Sequence, residues 1–270
     1  MLLNELIDHV SLPKYSCVIV DEAHERSIDS DLLLGLMKQC LKSRPDFKLV
    51  VSSATLDEGV FSTYFNNCPT LEVPGKVYPV DIKYENEKED YVQAAVDKTL
   101  WIVEKRKEGD ILVFLTGQDE IEQAYRKLKA ISNRCVILMC HGKLPPEEQC
   151  KVFEPAPSNK RKIVLATNCA ETSVTIDGIK FVVDTGKVKE MVFDEKSRMN
   201  VLKINFISQS SAEQRKGRAG RTASGTCFRL YSKKTFKSME KFTRPEILRT
   251  DLDYAVLKLK FIGIENVGTF

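Results

Sequence analysis

Short runs rich in β-branched residues recur along this chain, separated by stretches whose apolar positions return every three or four residues. Residues 16–20, 48–52, 80–84, 110–115, 135–139, 162–166 and 180–184 carry the strand pattern. Residues 30–43, 90–107, 119–131 and 146–153 carry the helical one. A strand followed by a helix, repeated, builds parallel sheets from βαβ units. In such sheets the loops that do chemistry lie at the carboxyl ends of the strands. After residue 180 the rhythm changes. Residues 181–184, 188–193 and 201–207 read as consecutive strands with a polar turn at 194–200, which predicts a β-hairpin inserted into the α/β pattern. Pro74-Gly75 and Tyr78-Pro79 interrupt the pattern and place a linker near residues 74–80. A last helical run begins at Asp251.

The 270 residues are 43% hydrophobic and 29% charged, with a formal net charge of +3, which excludes a disordered chain. No apolar run approaches the ~20 residues of a membrane-spanning helix. The start, MLLNELIDHV, lacks the basic residues and cleavage site of a secretory leader. The expectation is an intracellular protein, in nucleus or cytoplasm, with no membrane partner. Charge is uneven: residues 1–78 hold 7 basic and 11 acidic residues, whereas residues 180–249 hold 17 basic and 7 acidic. Such a local surplus suits a phosphate-rich partner, although a solvated face accounts for most individual lysines. The eight Cys, at 17, 40, 68, 135, 140, 150, 169 and 227, form no CxxC pair. Cys135, Cys140 and His141 are the one close set. Several Cys lie in apolar strand patterns, so structural thiols in a reducing compartment are expected, not zinc ligands or disulfides.

Four segments carry candidate chemistry. In VIVDEAHERS (residues 18–27) an apolar strand ends in two carboxylates and a histidine. An Asp there can hold Mg²⁺ through water and a neighbouring Glu can face a nucleophilic water, the two requirements of nucleoside triphosphate hydrolysis. Asp-Glu alone would read as a strand with an acidic turn; the full run is far more specific. SSATL (52–56) ends the next strand, where hydroxyl residues sense a neighbouring loop or simply cap a turn. ATNCAETSVTID (166–177) follows another apolar strand. Thr167 and Asn168 suit a nucleic-acid backbone and Ser173 and Asp177 a nucleotide, while a plain polar loop is the simpler account of the segment in isolation. QRKGRAGR (214–221) sets Arg218 and Arg221 three apart, on one face of a helix, as arginine fingers require. Gly217 and Gly220 weigh against an ordinary exposed basic helix.

Together, in this order, the four segments resemble the DEAH-box RNA helicases. Asp21-Glu22-Ala23-His24 resembles the family's motif II and Ser53-Ala54-Thr55 its motif III. Gly117-Gln118 with Glu120-Ile121, after ILVFLT, is similar to motif IV, residues 166–177 to motif V and 214–221 to motif VI. Family-like stretches at 74–76, 144–149, 153–157 and 227–231 lie between them, so the resemblance runs nearly end to end.

The resemblance implies an α/β fold of tandem RecA-like domains with parallel sheets, closing on ATP or another nucleoside triphosphate, with single-stranded RNA lying across both. Residues 1–78 would be the latter part of a first domain whose sheet is incomplete. Residues 79–248 would be the second domain with its hairpin, and residues 249–270 the start of a helical, winged-helix-like segment. Asp21 would hold Mg²⁺ and Glu22 would polarise the attacking water. His24, Ser53 and Thr55 would couple hydrolysis to movement. Gln214 would place the water, and Arg218 and Arg221 would reach the γ-phosphate. Phe153 would stack on the base, Asp177 would meet the ribose and Ser173 would sense the γ-phosphate. Gly117, Gln118, Thr167 and Asn168, with Lys187, Lys189 and Lys203 of the hairpin, would contact RNA. An activator protein or a ribonucleoprotein is the further partner implied.

The sequence departs from the family in three places. Lys216 and Cys169 stand where a small residue and an aliphatic one are usual, and no GxxxxGK[ST] phosphate loop occurs. The expectation is therefore an internal piece of a longer helicase, not competent in catalysis by itself. The alternatives are a truncated, non-catalytic RNA- or protein-binding module and a DNA-directed helicase or nucleoside triphosphatase.

Overall fold

The computed structural model describes residues 2–9, 11–54, 58–75, 78–157, 159–172 and 175–270. Among them the first elements are α1 (Leu2–Asp8), β1 (Cys17–Val20), α2 (Ile28–Ser43), β2 (Lys48–Val51) and α3 (Glu58–Tyr64). Next come β3 (Val80–Tyr84), α4 (Tyr91–Lys105), β4 (Asp110–Phe114), α5 (Gln118–Leu128), β5 (Cys135–Cys140) and α6 (Pro146–Cys150). The remainder are β6 (Arg161–Ala166), β7 (Ile179–Asp184), β8 (Lys187–Asp194), β9 (Met199–Phe206), α7 (Gln209–Gly217), β10 (Gly225–Arg229), α8 (Lys233–Ser238) and α9 (Asp253–Phe261). The chain divides into two compact units, one of residues 1–73, 191–202 and 244–270, the other of residues 74–190 and 203–243. The sequence pattern suggests consecutive stretches; the contacts give a discontinuous division, in which the hairpin tip and the last 27 residues group with the first unit.

In the first unit β1 and β2 pair in parallel, Val20 against Val51. α2 starts where Ser27 caps it, its hydroxyl accepting from Ser30 N–H at 3.2 Å, with Asp29 and Asp31 in the positive first turn. Leu32, Leu36 and Cys40, four apart, bury one stripe of α2 against Val18, Val20, Leu6 and, from α9, Ala255 and Leu259. Fully burying Leu36 contributes roughly 1.5–3 kcal/mol. A Cβ on Gly35 would come within 2.6 Å of the Phe270 ring, so glycine there admits the aromatic. Ile19 (69% exposed) and Val50 leave the other face of β1–β2 open among the described residues, which is unusual for parallel strands.

The second unit is a six-stranded parallel sheet in the order β3-β10-β7-β4-β6-β5. β4, β6 and β7 read as near-continuous apolar runs because they are buried on both faces. One face carries Ile111, Val113, Leu165 and Val183 against Ile102 of α4 and Ile121 and Leu128 of α5. The other carries Leu112, Phe114, Val164 and Val182 against Ala170, Ile176 and Ala219. Asp90 caps α4, accepting from Gln93 N–H at 2.8 Å. β8 and β9 form the predicted hairpin, whose turn is set by Asp194 accepting from Ser197 N–H and Oγ at 3.1 and 2.7 Å. The tandem, parallel α/β architecture expected from the sequence is thus present.

Candidate functional site

The acidic loop of the first unit begins where β1 ends. Asp21 Oδ1 accepts from Glu22 N–H at 3.0 Å and from the Ser52 hydroxyl at the end of β2. These bonds, the hydroxyl first, hold the Asp21 carboxyl below its usual range, so it stays ionised. Glu22 (φ +53°) and Arg26 (φ +50°) both take the left-handed conformation, which costs a side-chain-bearing residue free energy and turns the chain sharply around Ala23–Glu25. Backbone bonds Ala23 N–H to Ser52 O (3.0 Å) and Ser52 N–H to Val20 O (2.9 Å) fasten the turn to β2.

His24 lies 3.4 Å from Glu22 Oε2 through Nδ1, yet the same Nδ1 accepts from Ala54 N–H at 3.1 Å. A nitrogen that accepts carries no proton, so the second contact fixes the proton on Nε2 and the first is not an ion pair. Nε2 is buried with no hydrogen-bond partner among the described residues. His24 thus meets the backbone of Ala54, between the two expected coupling residues Ser53 and Thr55. Ser53 is exposed one residue earlier, and Thr55 lies outside the described residues. Among the hydroxyl residues of SSATL it is the first, Ser52, that meets the carboxylate.

One local pair and several partners distant in sequence hold this loop. Arg26 pairs with Asp31 at 2.7 and 3.1 Å. Glu246 N–H donates to Arg26 O at 3.0 Å while its carboxylate accepts from Ile28 N–H at 2.9 Å. In the same unit Arg249 donates to Met191 O at 2.9 Å, and Asn200 bonds Asp251 at the hairpin tip. No periodicity or local motif signals such contacts.

In the second unit the candidates fall into two groups. At the carboxyl ends of the strands, Gly117 caps α5 after β4, and Thr167 and Asn168 follow β6. Gln118 spends its amide on Glu122 of its own helix at 2.9 Å. A Cβ on Gly117 would lie 3.8 Å from Lys189 Cδ, which places this hairpin lysine beside the α5 cap. Lys187 rests on the Phe206 ring, 3.3 Å from its centroid, and burial lowers its pKa. Lys189, Lys203 and Asn168 are exposed.

The second group lies at the amino-terminal edge. The Arg221 guanidinium donates to Thr175 Oγ1, and exposed Asp177 sits just before Gly178, whose carbonyl accepts Asp110 N–H at 2.9 Å as β4 begins. Gln214 and Arg218 are half-buried on the segment leading there. Ser173 lies outside the described residues. Gly220 lies against backbone, where a Cβ would stand 2.6 Å from Tyr78 O, whereas Gly217 opens onto free space. Lys216 pairs with Glu213 three residues earlier. A cleft of about 530 Å³ opens at the start of β4, β5 and β6 beside Arg106, Arg134 and Arg161, and none of the candidate residues lines it.

Phe153 stands apart from both groups, 47% exposed. Its turn is held by Lys162, a buried lysine on β6 whose ammonium donates to Val152 O and Glu154 O at 2.9 and 3.0 Å, the carbonyls on either side of Phe153. The two bonds offset the cost of burying the charge.

Behind the groups lies a network that sequence reasoning missed. Arg215 is wholly buried. It donates to Glu171 Oε2 and Asp184 Oδ1 at 2.9 Å each and to Lys187 O at 3.2 Å, with its guanidinium 4.7 Å from the centre of the Phe114 ring. Burial opposes its charge, but the two carboxylates outweigh that and raise its pKa. Tyr231 gives its proton to Asp184 Oδ2 at 2.7 Å, and burial with this bond raises the Tyr231 pKa as well. Glu171 follows the Thr167–Asn168 turn and Lys187 opens the hairpin, so one side chain ties three functional segments together.

The six-stranded parallel sheet, with its loops at the carboxyl edge and helices on both faces, is a RecA-like α/β domain. Residues 80–223 match the family described as helicase conserved C-terminal domain. Over 279 aligned residues the chain is 47% identical to the pre-mRNA-splicing factor ATP-dependent RNA helicase prp22 of Schizosaccharomyces pombe (strain 972 / ATCC 24843), covering 100% of this chain and 24% of that one. It is also similar to the DEAH/RHA helicase HrpB of Escherichia coli, at a TM-score of 0.92 and 33% identity, covering 98% of this chain and 34% of that one. The chain belongs to the DEAH-box helicase family. It spans about a quarter of the curated relative and about a third of the solved one. No helix among the described residues is long and apolar enough to cross a membrane.

Proposed function

We propose that residues 1–270 are part of the motor core of an ATP-dependent RNA helicase of DEAH type. The motor couples nucleoside triphosphate hydrolysis to translocation on single-stranded RNA and remodels RNA or ribonucleoprotein. The name of the fission-yeast relative, a pre-mRNA-splicing factor, suggests a splicing ribonucleoprotein as substrate; a protein activator is the further partner we infer from the family resemblance alone. The observation that carries the proposal is the double tie between the acidic loop and the end of β2, Asp21 to Ser52 and His24 to Ala54. Through it a change at the carboxylates is felt in the next loop.

Asp21 fits a water-mediated Mg²⁺ site, because it is ionised and only Oδ1 is engaged by the two described donors. Bound there, Mg²⁺ would neutralise charge on the β- and γ-phosphates. Glu22 polarises the attacking water. Gln214 orients that water, and Arg218 and Arg221 stabilise charge on the transferring phosphoryl group. Phe153 stacks on the base whatever its identity, and Asp177 and Ser173 hold the nucleotide. Gly117, Gln118, Thr167, Asn168, Lys187, Lys189 and Lys203 hold the RNA backbone.

A protein of these 270 residues alone is expected to show no RNA-stimulated turnover of Mg·ATP. The sequence has no GxxxxGK[ST] to supply the row of N–H groups, the lysine and the hydroxyl that hold the phosphates. A chain that adds such a loop to these residues should hydrolyse ATP and be stimulated by single-stranded RNA. Equal stimulation by DNA would give the DNA-directed reading. RNA binding without hydrolysis in the longer chain would give the binding-module reading.

Neutralising Lys187, Lys189 and Lys203 together should weaken RNA binding and flatten its salt dependence. On a single strand the logarithmic slope should fall by about 0.7 for each phosphate that is no longer neutralised. Lys189 and Lys203, being exposed, should carry more of the change than Lys187, which is partly spent on Phe206. A slope as steep as the parent's would place these lysines outside the RNA path.

A further inference from the structure

Cys140 ends β5, and its register partner on β6 is Ala166. Three residues beyond Ala166, the short turn Asn168–Ala170 brings Cys169 back over the end of β5. The two sulfurs lie 3.5 Å apart, and Thr167 N–H donates to Cys140 O at 3.1 Å, which fixes the two chain segments side by side. The sequence showed Cys135, Cys140 and His141 as neighbours; the strand order replaces that set with a thiol pair 29 positions apart. Where a cell keeps thiols reduced, disulfides that do form are mostly transient and regulatory. A pair already in contact needs only about 1.5 Å of closure to reach bonding distance.

We propose that Cys140 and Cys169 are a reversible redox site: an oxidant of the hydroperoxide class closes them into a disulfide that fixes the turn presenting Thr167 and Asn168. Cys169 is the sulfur oxidised first. It is partly exposed, whereas Cys140 is buried. Thr167 Oγ1 donates to its sulfur at 3.4 Å. The hydrogen bond with Cys140, then those from Thr167, hold the Cys169 thiol below its ordinary range, and the same pairing with burial pushes Cys140 up. The Cys140 carbonyl, 3.3 Å from Cys169 Sγ, works against a thiolate there, and the two donors outweigh it.

The Cys169 thiolate attacks the terminal oxygen of the hydroperoxide; the S–O bond forms, the O–O bond breaks, and the leaving oxygen takes a proton and departs as an alcohol, or as water when the oxidant is hydrogen peroxide. The sulfenic acid so formed is attacked by Cys140. The S–S bond forms, the S–O bond breaks, and the Cys140 proton leaves with the hydroxide as water. The two thiols lose two electrons and two protons, and the peroxide gains them. A dithiol reductant reverses the bond by exchange. Glu171, two residues past Cys169, holds Arg215, so the locked turn also pulls on the buried ion network.

The chemistry stands without the proposed function; its consequence for RNA rests on that reading. The test uses the full-length protein, titrated with hydrogen peroxide in its native state, alkylated, digested and mapped by mass spectrometry. A Cys140–Cys169 linked peptide that dithiothreitol abolishes is expected, with exposed Cys17 and Cys150 remaining alkylatable. Over-oxidation of Cys169 to the sulfinic acid, or a Cys169 still free after Cys17 and Cys150 have reacted, would overturn the site. RNA affinity should fall several-fold on oxidation, recover on reduction, and be insensitive to peroxide in Cys169→Val. A linked peptide with unchanged RNA affinity would overturn the switch. Failure of the reduced protein to bind RNA would instead sink the helicase reading and leave the disulfide result standing.

Discussion

Glu22→Gln, in the full-length protein, is expected to leave ATP binding intact and lower kcat by about 10²–10⁴-fold, the usual worth of a positioned general base. The amide keeps the shape of the carboxylate and loses its charge. The bond that orders the loop uses the Glu22 backbone N–H, donating to Asp21 at 3.0 Å, and survives the change. The left-handed turn is equally open to glutamine, so the Ala54 contact of His24 should persist. Arg221→Ala should lower kcat by about 10³-fold or more, because the transferring phosphoryl charge is then less stabilised. Exposed Arg221 donates to Thr175 and makes no buried ion pair among the described residues, so its removal should not disturb folding. Single-turnover kinetics with Mg·ATP separate binding from chemistry. Unchanged kcat in both variants would refute the roles given to these residues, and a raised KM with normal kcat would make them binding groups only.

What the sequence could reveal follows from which signals are local. Strands buried on both faces, such as ILVF at 111–114 and KIVLA at 162–166, announce themselves by composition, and each of the seven strand runs is matched by a strand. β10 is not announced, although it lies between β3 and β7 near the middle of the sheet's first half. Its run GTCFR is short and ends in an arginine, and a charged residue argues against a buried strand. Arg229 is nonetheless wholly buried, its cation answered by Glu213 at 2.8 Å and by the Tyr84 ring and hydroxyl. That pairing is tertiary and has no local trace. The same holds for Lys162, which reads as one more lysine in a strand and is in fact the clamp on the Phe153 turn. The acidic loop was legible as chemistry, because DEAHERS after an apolar strand is specific. Of its anchors, Ser52 lies within the SSATL segment, legible as sensing a neighbouring loop, whereas Glu246 has no local trace, because it bonds Ile28 across 218 positions of sequence. In QRKGRAGR the two candidate finger arginines stand out by their spacing, while Arg215, three residues before the first of them, reads as a further surface cation.

Arg215→Met is expected to destabilise the second unit by about 3–5 kcal/mol, the usual cost of removing one partner from a buried ion pair. Methionine nearly fills the volume, so a cavity is not the cause. What remains is Glu171 and Asp184, both buried, facing each other's charge without the guanidinium that bonded each at 2.9 Å. The bonds to Lys187 O go as well, so the hairpin base loosens. For a unit of this size the midpoint of thermal unfolding should fall by roughly 10 °C. Arg218→Met, three residues on and half-buried, should leave the midpoint close to the parent's while turnover falls, which separates a structural arginine from one that touches the nucleotide. Adding Glu171→Gln to Arg215→Met removes one of the stranded charges and should recover part of the loss, whereas Glu171→Gln alone should destabilise. Such a cycle gives a coupling that distant, independent sites do not show. Calorimetry on the four proteins measures it. Strict additivity, or an Arg215→Met midpoint equal to the parent's, would mean that Arg215 and Glu171 do not act as one buried pair.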